Sequence, residues 1–292
     1  MKPFKQYKAI FFDWDGTAVL SRKAAPDPVI APMKALLKKN IPLVIISGTT
    51  YDNIAGGKLE NYFSADELQN LFLGLGRGAF NYRYDDGGAP VIWEEVIPNK
   101  DALLKIHRVC FEIHQTLLKE YDIRTDIVFS RPNYCKIDLM VDNDRGDRLF
   151  LQGGEIETLK RLLKVHGVGG GLRELIKISD TISEAHGLKL SATCDAKFLE
   201  VGLSDKSDNV DATLAMLERE RGIKPEDCSF WGDEYIGVDE GLFGSDSFMI
   251  TEKSKRGDFF DVSDTTGERP PGVARVGNGI EAFHDFLRGQ AH

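Results

Sequence analysis

The sequence predicts an α/β fold: a parallel sheet with helices on both faces, carrying a large inserted α+β unit. Three observations predict it. Short apolar runs alternate with helical patterns, as strand–helix–strand units require. Several of these runs end in carboxylates, hydroxyls or glycine, the residues that bind ligands at the carboxyl edge of an open α/β sheet. Between the second and third of these strand-end clusters lies a long segment with its own strands and helices.

The first run is Tyr7 to Phe12, and Asp13-Trp14-Asp15-Gly16-Thr17 follows at once. Side chains alternate along an extended segment. Where the backbone turns at the strand end, Asp13 and Asp15 can both face one pocket. Gly16 permits the turn because it enters positive φ without steric cost. Two acids so close repel unless a cation neutralises them, which implies Mg²⁺. Asp13 could attack phosphorus as a carboxylate nucleophile. Asp15 could protonate the leaving oxygen and then deprotonate water.

A connector with Pro26, Pro28 and Pro32 leads to an amphipathic helix ending near Lys39. The run Ile41 to Ile46 reads as a buried parallel strand and ends in Ser47-Gly48, a hydroxyl and an amide able to hold a phosphate oxygen. Leu71 to Gly74 reads as another core strand. The glycines of Gly76-Arg77-Gly78 mark a hinge or tight turn, since no Lys-Ser/Thr pair follows to make a phosphate loop.

The inserted unit then shows a strand at Val91–Glu95, a helix from Asp101 to Tyr121, and strands at Ile127–Ser130 and Tyr134–Met140. Helical runs at Glu155–His166 and Leu172–His186 follow, then strands at Leu188–Ala192 and Phe198–Val201. The expected division is a core of residues 1–81 and 203–292 with a cap of residues 82–202 between them. In the core, Lys206 stands at the start of a helical pattern that runs to Arg221. A cation is disfavoured there by the helix dipole, so its position implies an anion to pair with. The apolar run Cys228 to Trp231 ends in Gly232-Asp233-Glu234. The polar stretch from Gly257 to Gly272 reads as a long loop, and Gly279 to Arg288 as a closing amphipathic helix.

A chain of 292 residues with a formal net charge of -9 suits one or two globular domains and disfavours a nucleic-acid backbone as partner. Its basic run, Lys253-Ser254-Lys255-Arg256, is short and lies among acids. No apolar stretch is long enough to span a bilayer, and the N-terminus lacks a secretory apolar segment, so a cytoplasmic protein is expected. Cys110, Cys135, Cys194 and Cys228 are far apart and read as buried free thiols, and the six histidines show no zinc spacing.

Four clusters in order, Asp13 to Thr17, Ser47-Gly48, Lys206 and Gly232-Asp233, resemble the haloacid dehalogenase-like hydrolases, whose first motif is Asp-x-Asp-Gly-Thr. The large insertion between the second and third resembles the type-2 capped branch, the Cof-like and sugar-phosphate phosphatases. The resemblance implies a Rossmann-like core and a Mg²⁺-dependent phosphatase acting on a small phosphorylated metabolite through an aspartyl-phosphate on Asp13. It implies phosphate binding by Ser47, the Gly48 amide and Lys206, and metal binding by Asp13, Asp15 and Asp233. A further acid should follow Asp233 by a few residues. Asp239 is the first choice and Glu234 the second, although the spacing to Asp239 is longer than usual. Arg131, Asn133 and Lys136 are candidate readers of the organic part. A phosphomutase and a non-catalytic sugar-phosphate-binding regulator are the alternatives. A dehalogenase is disfavoured because it has no use for the acid at Asp15.

Overall fold

The computed structural model describes residues 5–141, 153–194, 197–239 and 241–292. The chain forms two compact units. The first takes in the chain up to Glu95, Asp205–Ile236 and Asp246–His292; the second takes in Val96–Ser204 and Gly237–Ser245.

The first unit holds strands β1 (Ala9–Phe12), β2 (Leu43–Ile46), β3 (Leu71–Leu75), β4 (Phe80–Tyr84) and β5 (Pro90–Glu95), with helices α1 (Asp27–Leu37) and α2 (Ala65–Leu68) between them. The second unit contributes helix α3 (Lys100–Tyr121), strands β6 (Asp126–Val128) and β7 (Tyr134–Asp138), helices α4 (Gly153–Val165) and α5 (Gly171–Ala185), and strands β8 (Ser191–Cys194) and β9 (Phe198–Gly202). The first unit resumes with α6 (Lys206–Arg221) and β10 (Cys228–Gly232). The hairpin β11 (Gly237–Asp239) and β12 (Leu242–Phe243) returns to the second unit. Strands β13 (Asp258–Asp261) and β14 (Val273–Arg275) and helix α7 (Gly279–Gln290) complete the first.

The first unit is built on an eight-stranded sheet in the order β14-β13-β10-β1-β2-β3-β4-β5. The pairs from β14 through β3 are parallel, and β4 and β5 join antiparallel. Period-two alternation sorts the apolar residues onto two faces. Ile10, Phe12, Leu43 and Ile45 pack with Met33 and Leu36 of α1 and Phe283 and Leu287 of α7. Ala9, Phe11, Val44 and Ile46 turn the other way, toward Val210, Leu214 and Leu217 of α6. Each fully buried Leu, Ile or Phe stabilises this arrangement by about 1.5–3 kcal/mol. The central strands are covered on both faces, so they read as continuous apolar runs.

The second unit has a four-stranded antiparallel sheet, β6-β7-β9-β8. Cys135, Ile137, Leu199 and Val201 meet Ile106, Val109 and Ile113 of α3, Leu159 and Leu163 of α4, and Leu172 and Leu175 of α5. Val238 of the hairpin joins that cluster, which ties the hairpin to this unit.

The observed division differs from the expected one in three places, the smallest being that the core resumes at Asp205 and not at residue 203. The boundary falls at Glu95 because β4 and β5 extend the core sheet, whereas the sequence places it at residue 81. The hairpin of Gly237–Ser245 also leaves the core. The polar stretch after Gly257 is not all loop, since Phe259 and Phe260 of β13 are buried beside β10.

Candidate active site

The site lies at the carboxyl ends of β1, β2 and β10, where the strands hand over to loops. The Asp13 amide donates to the Trp231 carbonyl at 2.9 Å, carrying the ladder one residue past β1. The chain then turns through Gly16, whose φ of +86° is left-handed. The turn is closed by the Gly16 amide donating to the Val19 carbonyl and the Ala18 amide to the Trp14 carbonyl. A Cβ on Gly16 would sit 2.2 Å from Asp233 Oδ2, so this backbone forms one wall of the Asp233 carboxylate. The Thr17 hydroxyl donates to Asp233 Oδ1 at 3.1 Å. Gly16 and Thr17 thus bind the end of β10 to the end of β1.

Lys206 is the first residue of α6, behind a capping box in which Asp205 accepts the Ser207 amide and Asp208 accepts that of Asp205. Its ammonium is buried and donates to Asp13 Oδ1 at 2.8 Å and to Asp246 Oδ1 at 2.7 Å. Burial by itself would lower the lysine, but the two carboxylates outweigh it and hold it well above its ordinary value. The anion implied by its position is therefore a pair of acids.

Asp246 did not figure among the sequence candidates. It is fully buried, and its Oδ2 accepts the amides of Asp233 at 3.0 Å and Glu234 at 2.8 Å. The acid that supports the end of β10 is thus Asp246. Asp239, the residue expected there, belongs to the second unit and pairs with Lys160 at 3.8 Å. The hairpin of Gly237–Ser245 separates Asp233 from Asp246 in the chain and hides the spacing. Glu234 contributes its backbone amide to Asp246 and also accepts the Asp246 amide on its carbonyl.

Asp15 pairs with Arg22 at 3.3 Å through Oδ2, while its Oδ1 is buried without a partner among the described residues. Burial raises Asp15 above the usual carboxylate range, against the pull of Arg22 and Lys206. Burial also raises Asp13, with Lys206 opposing, and raises Asp233, where Glu234, Asp246 and Asp13 add repulsion. Tyr235, fully buried beside this loop, is held far above its ordinary value by burial and by Asp246, Asp261 and Asp13.

Ser47 is buried at the end of β2, its amide donating to the Gly74 carbonyl, and Gly48 is exposed with open space where a side chain would be. In the second unit Lys136 pairs with Glu200 at 2.5 Å, and the Asn133 amide group donates to Ser204 Oγ at 2.6 Å. Both therefore have roles inside that unit. Arg131 has a buried Nε without a hydrogen-bond partner among the described residues.

These residues fit a hard divalent cation. Asp233 receives a hydroxyl and no cationic side chain among the described residues, and Asp15 keeps an orphaned oxygen. Among the described residues no three acidic, histidine or cysteine side chains gather into a group placed to hold a metal ion. Mg²⁺ is held by one or two carboxylates, waters and substrate phosphate more often than by a protein cage.

No protein-family model and no curated protein matches the sequence. Among solved structures, the chain is similar to IMP-bound, N-terminally truncated IMP-nucleotidase from Plasmodium falciparum. The TM-score is 0.61 at 13% identity, covering 98% of this chain and 68% of that one. The ATP-bound form of that protein gives 0.62 at 13% identity, covering 98% and 60%. Trehalose-6-phosphate phosphatase from Aspergillus fumigatus gives 0.57 at 14% identity, covering 98% and 93%. At these identities the likeness establishes the architecture, a mixed sheet flanked by helices with an inserted second unit. The chain therefore shares its fold with these solved structures, an IMP-nucleotidase and a trehalose-6-phosphate phosphatase.

Proposed function

We propose that this protein is a Mg²⁺-dependent phosphatase that hydrolyses a small phosphate monoester, a sugar phosphate in the first instance. The observation that carries the reading is the buried Lys206 ammonium shared by Asp13 and Asp246, with Asp233 against the Asp13–Thr17 turn. Lys206 takes Asp13 Oδ1, and no described residue hydrogen-bonds Oδ2, which leaves that oxygen to attack phosphorus. Asp15, raised by burial, is suited to hold a proton and give it to the leaving oxygen. Asp15 then takes a proton from the water that hydrolyses the aspartyl-phosphate on Asp13. Ser47, the Gly48 amide and Lys206 are assigned to the phosphoryl oxygens, as fixed donors for the charge of the transition state. Asp13 and Asp233, with the backbone carbonyl of Asp15, would hold the cation, which when bound would neutralise phosphoryl charge. We assign choice of the organic group to the inserted unit, with Arg131 as its foremost candidate.

The test is phosphate release from a panel of sugar phosphates, nucleoside monophosphates and an aryl phosphate, with and without Mg²⁺. Nucleotides belong in the panel because similar folds include an IMP-nucleotidase. Metal-dependent release from one class well above the others supports the reading. Transfer between sugar hydroxyls without net release would make the protein a mutase, and binding without turnover a regulator.

A further inference from the structure

Helices α3 and α5 of the second unit form the walls of a cleft of about 710 Å³, which the reaction described above does not use. That volume is in the range of small-molecule sites. Ile178 and Ile182 line it from α5, the first half-buried and the second buried. The cleft also carries charge. Arg173 and Lys177 stand one turn apart on α5 with Glu174 between them in the chain, and Glu120 lines the opposite wall from α3.

These charges are not equivalent. Glu174 is engaged on both oxygens: Oε2 accepts the Gly170 amide at 2.7 Å and Oε1 the Tyr121 hydroxyl at 2.9 Å. Those two donors, the amide first, hold it below the usual carboxylate range. Lys177 acts on Glu174 electrostatically, yet among the described residues it forms no ion pair. Arg173 has no acid partner among the described residues either, since Asp239 of the adjoining hairpin pairs with Lys160. The guanidinium is nevertheless fixed in place. A Cβ on Gly241 would lie 2.5 Å from Arg173 Nη2, so the hairpin backbone lies against the guanidinium and the glycine makes room for it. An arginine so held, with no carboxylate, is a set of donors facing a cleft without an acceptor.

We propose that this cleft binds a small anion with an apolar body. Its acid group sits on Arg173 and Lys177, and its body lies against Ile178 and Ile182. The acid group is a carboxylate or a phosphate, because either offers a guanidinium two oxygens at the spacing of its own donors. Glu120 on the opposite wall repels a second acid group, so the ligand carries one acid end. The site goes beyond the phosphatase reading and stands without it.

The experiment titrates the full chain, with isotope-labelled isoleucine methyl groups, and follows the Ile178 and Ile182 signals by NMR. The probes are hexanoate, hexylphosphonate and hexanol, which share a chain and differ in the head group. The comparison protein carries Arg173→Gln and Lys177→Gln, two exposed positions whose change leaves the core intact. Hexanoate, hexylphosphonate or both should shift the two methyl signals saturably at millimolar ligand. The double variant should bind the same probe at least about tenfold more weakly, as the loss of a hydrogen bond to a charged group predicts. Hexanol should bind wild type more weakly than the acid and be indifferent to the variant. A response to hexanoate alone makes the ligand a carboxylic acid, and one to hexylphosphonate alone a phosphate ester. Still methyl signals with both acids would overturn the proposal. So would equal binding of the acid by wild type and variant, or hexanol binding as tightly as the acid.

Discussion

Asp246 and Lys206 form a buried ion pair of 2.7 Å, joining the loop after β10 to the first turn of α6. The same carboxylate holds the Asp233 and Glu234 amides, so one side chain fixes both the cationic and the acidic wall of the site. Removing one partner of a buried pair leaves an uncompensated charge, at a cost of about 3–5 kcal/mol. Asp246→Ala should therefore lower stability by that order in urea unfolding and abolish phosphate release. Asp239→Ala removes a partly exposed pair with Lys160, worth about 0–1 kcal/mol. It should keep near-wild-type turnover of an aryl phosphate. Equal losses in the two variants would return Asp239 to the role first expected of it.

The metal requirement follows from carboxylates that outnumber the cations among them. Phosphate release should disappear in excess chelator and return on adding Mg²⁺. Full turnover with chelator present would rule the cation out of the reaction.

Asp13 and Asp15 should separate by leaving group. Asp13→Asn removes the nucleophile and should silence every ester. Asp15→Asn keeps it and removes the proton donor, a contribution of about 10²–10⁴-fold. That loss should be large with a sugar phosphate and small with an activated aryl phosphate. Phosphoenzyme should accumulate in Asp15→Asn and be visible by intact mass. Identical behaviour of the two variants on both esters, with no adduct in either, would contradict the assigned roles.

Gly16→Ala tests the wall of the Asp233 pocket. The new Cβ would meet Asp233 Oδ2 at 2.2 Å on a backbone with φ of +86°. The left-handed conformation alone costs about 1–2 kcal/mol with a side chain. The variant should unfold at lower urea and bind Mg²⁺ more weakly, read by calorimetry. Wild-type Mg²⁺ affinity would place the cation away from this wall.

Asn209 lies on α6 one turn past Lys206. Its Oδ1 accepts the Gly78 amide at 2.8 Å, and its Nδ2 donates to Asn81 Oδ1 at 2.9 Å. Asn209→Ala would strand the Gly78 amide at a cost of about 1–3 kcal/mol. It should also loosen the start of α6 against the sheet. Amide hydrogen exchange should report faster opening at Gly78, and unchanged protection there would show that the turn needs no anchor on α6.

The sequence reading placed β1, β2, β3 and β10, because strands buried on both faces are written as unbroken apolar runs. It reached Asp13, Asp15, Ser47, Lys206 and Asp233 because each stands at a strand end or helix start, where a polar residue is conspicuous. Asp246 escaped because a hairpin belonging to the other unit splits the loop that carries it. Strand β4 escaped because Asn81 and Arg83 interrupt its apolar pattern, and β13 because only Phe259 and Phe260 stand between polar neighbours.

The parallel pairing of β1 with β10 has a consequence for how the chain is made. Ala9 must align with Cys228, yet almost the whole second unit is synthesised between them. At typical translation rates of about 5–20 residues per second, β1 waits ~10–40 s for that neighbour. Until then the edge of β1 that β10 will cover stays open, with Phe11 and Phe12 already in place, while β2 and β3 can assemble on the other side. The nascent chain is thus most exposed to misassembly during synthesis of the inserted unit. Slow folding set by this distant pairing, and a need for protection during translation, are built into the order of the strands.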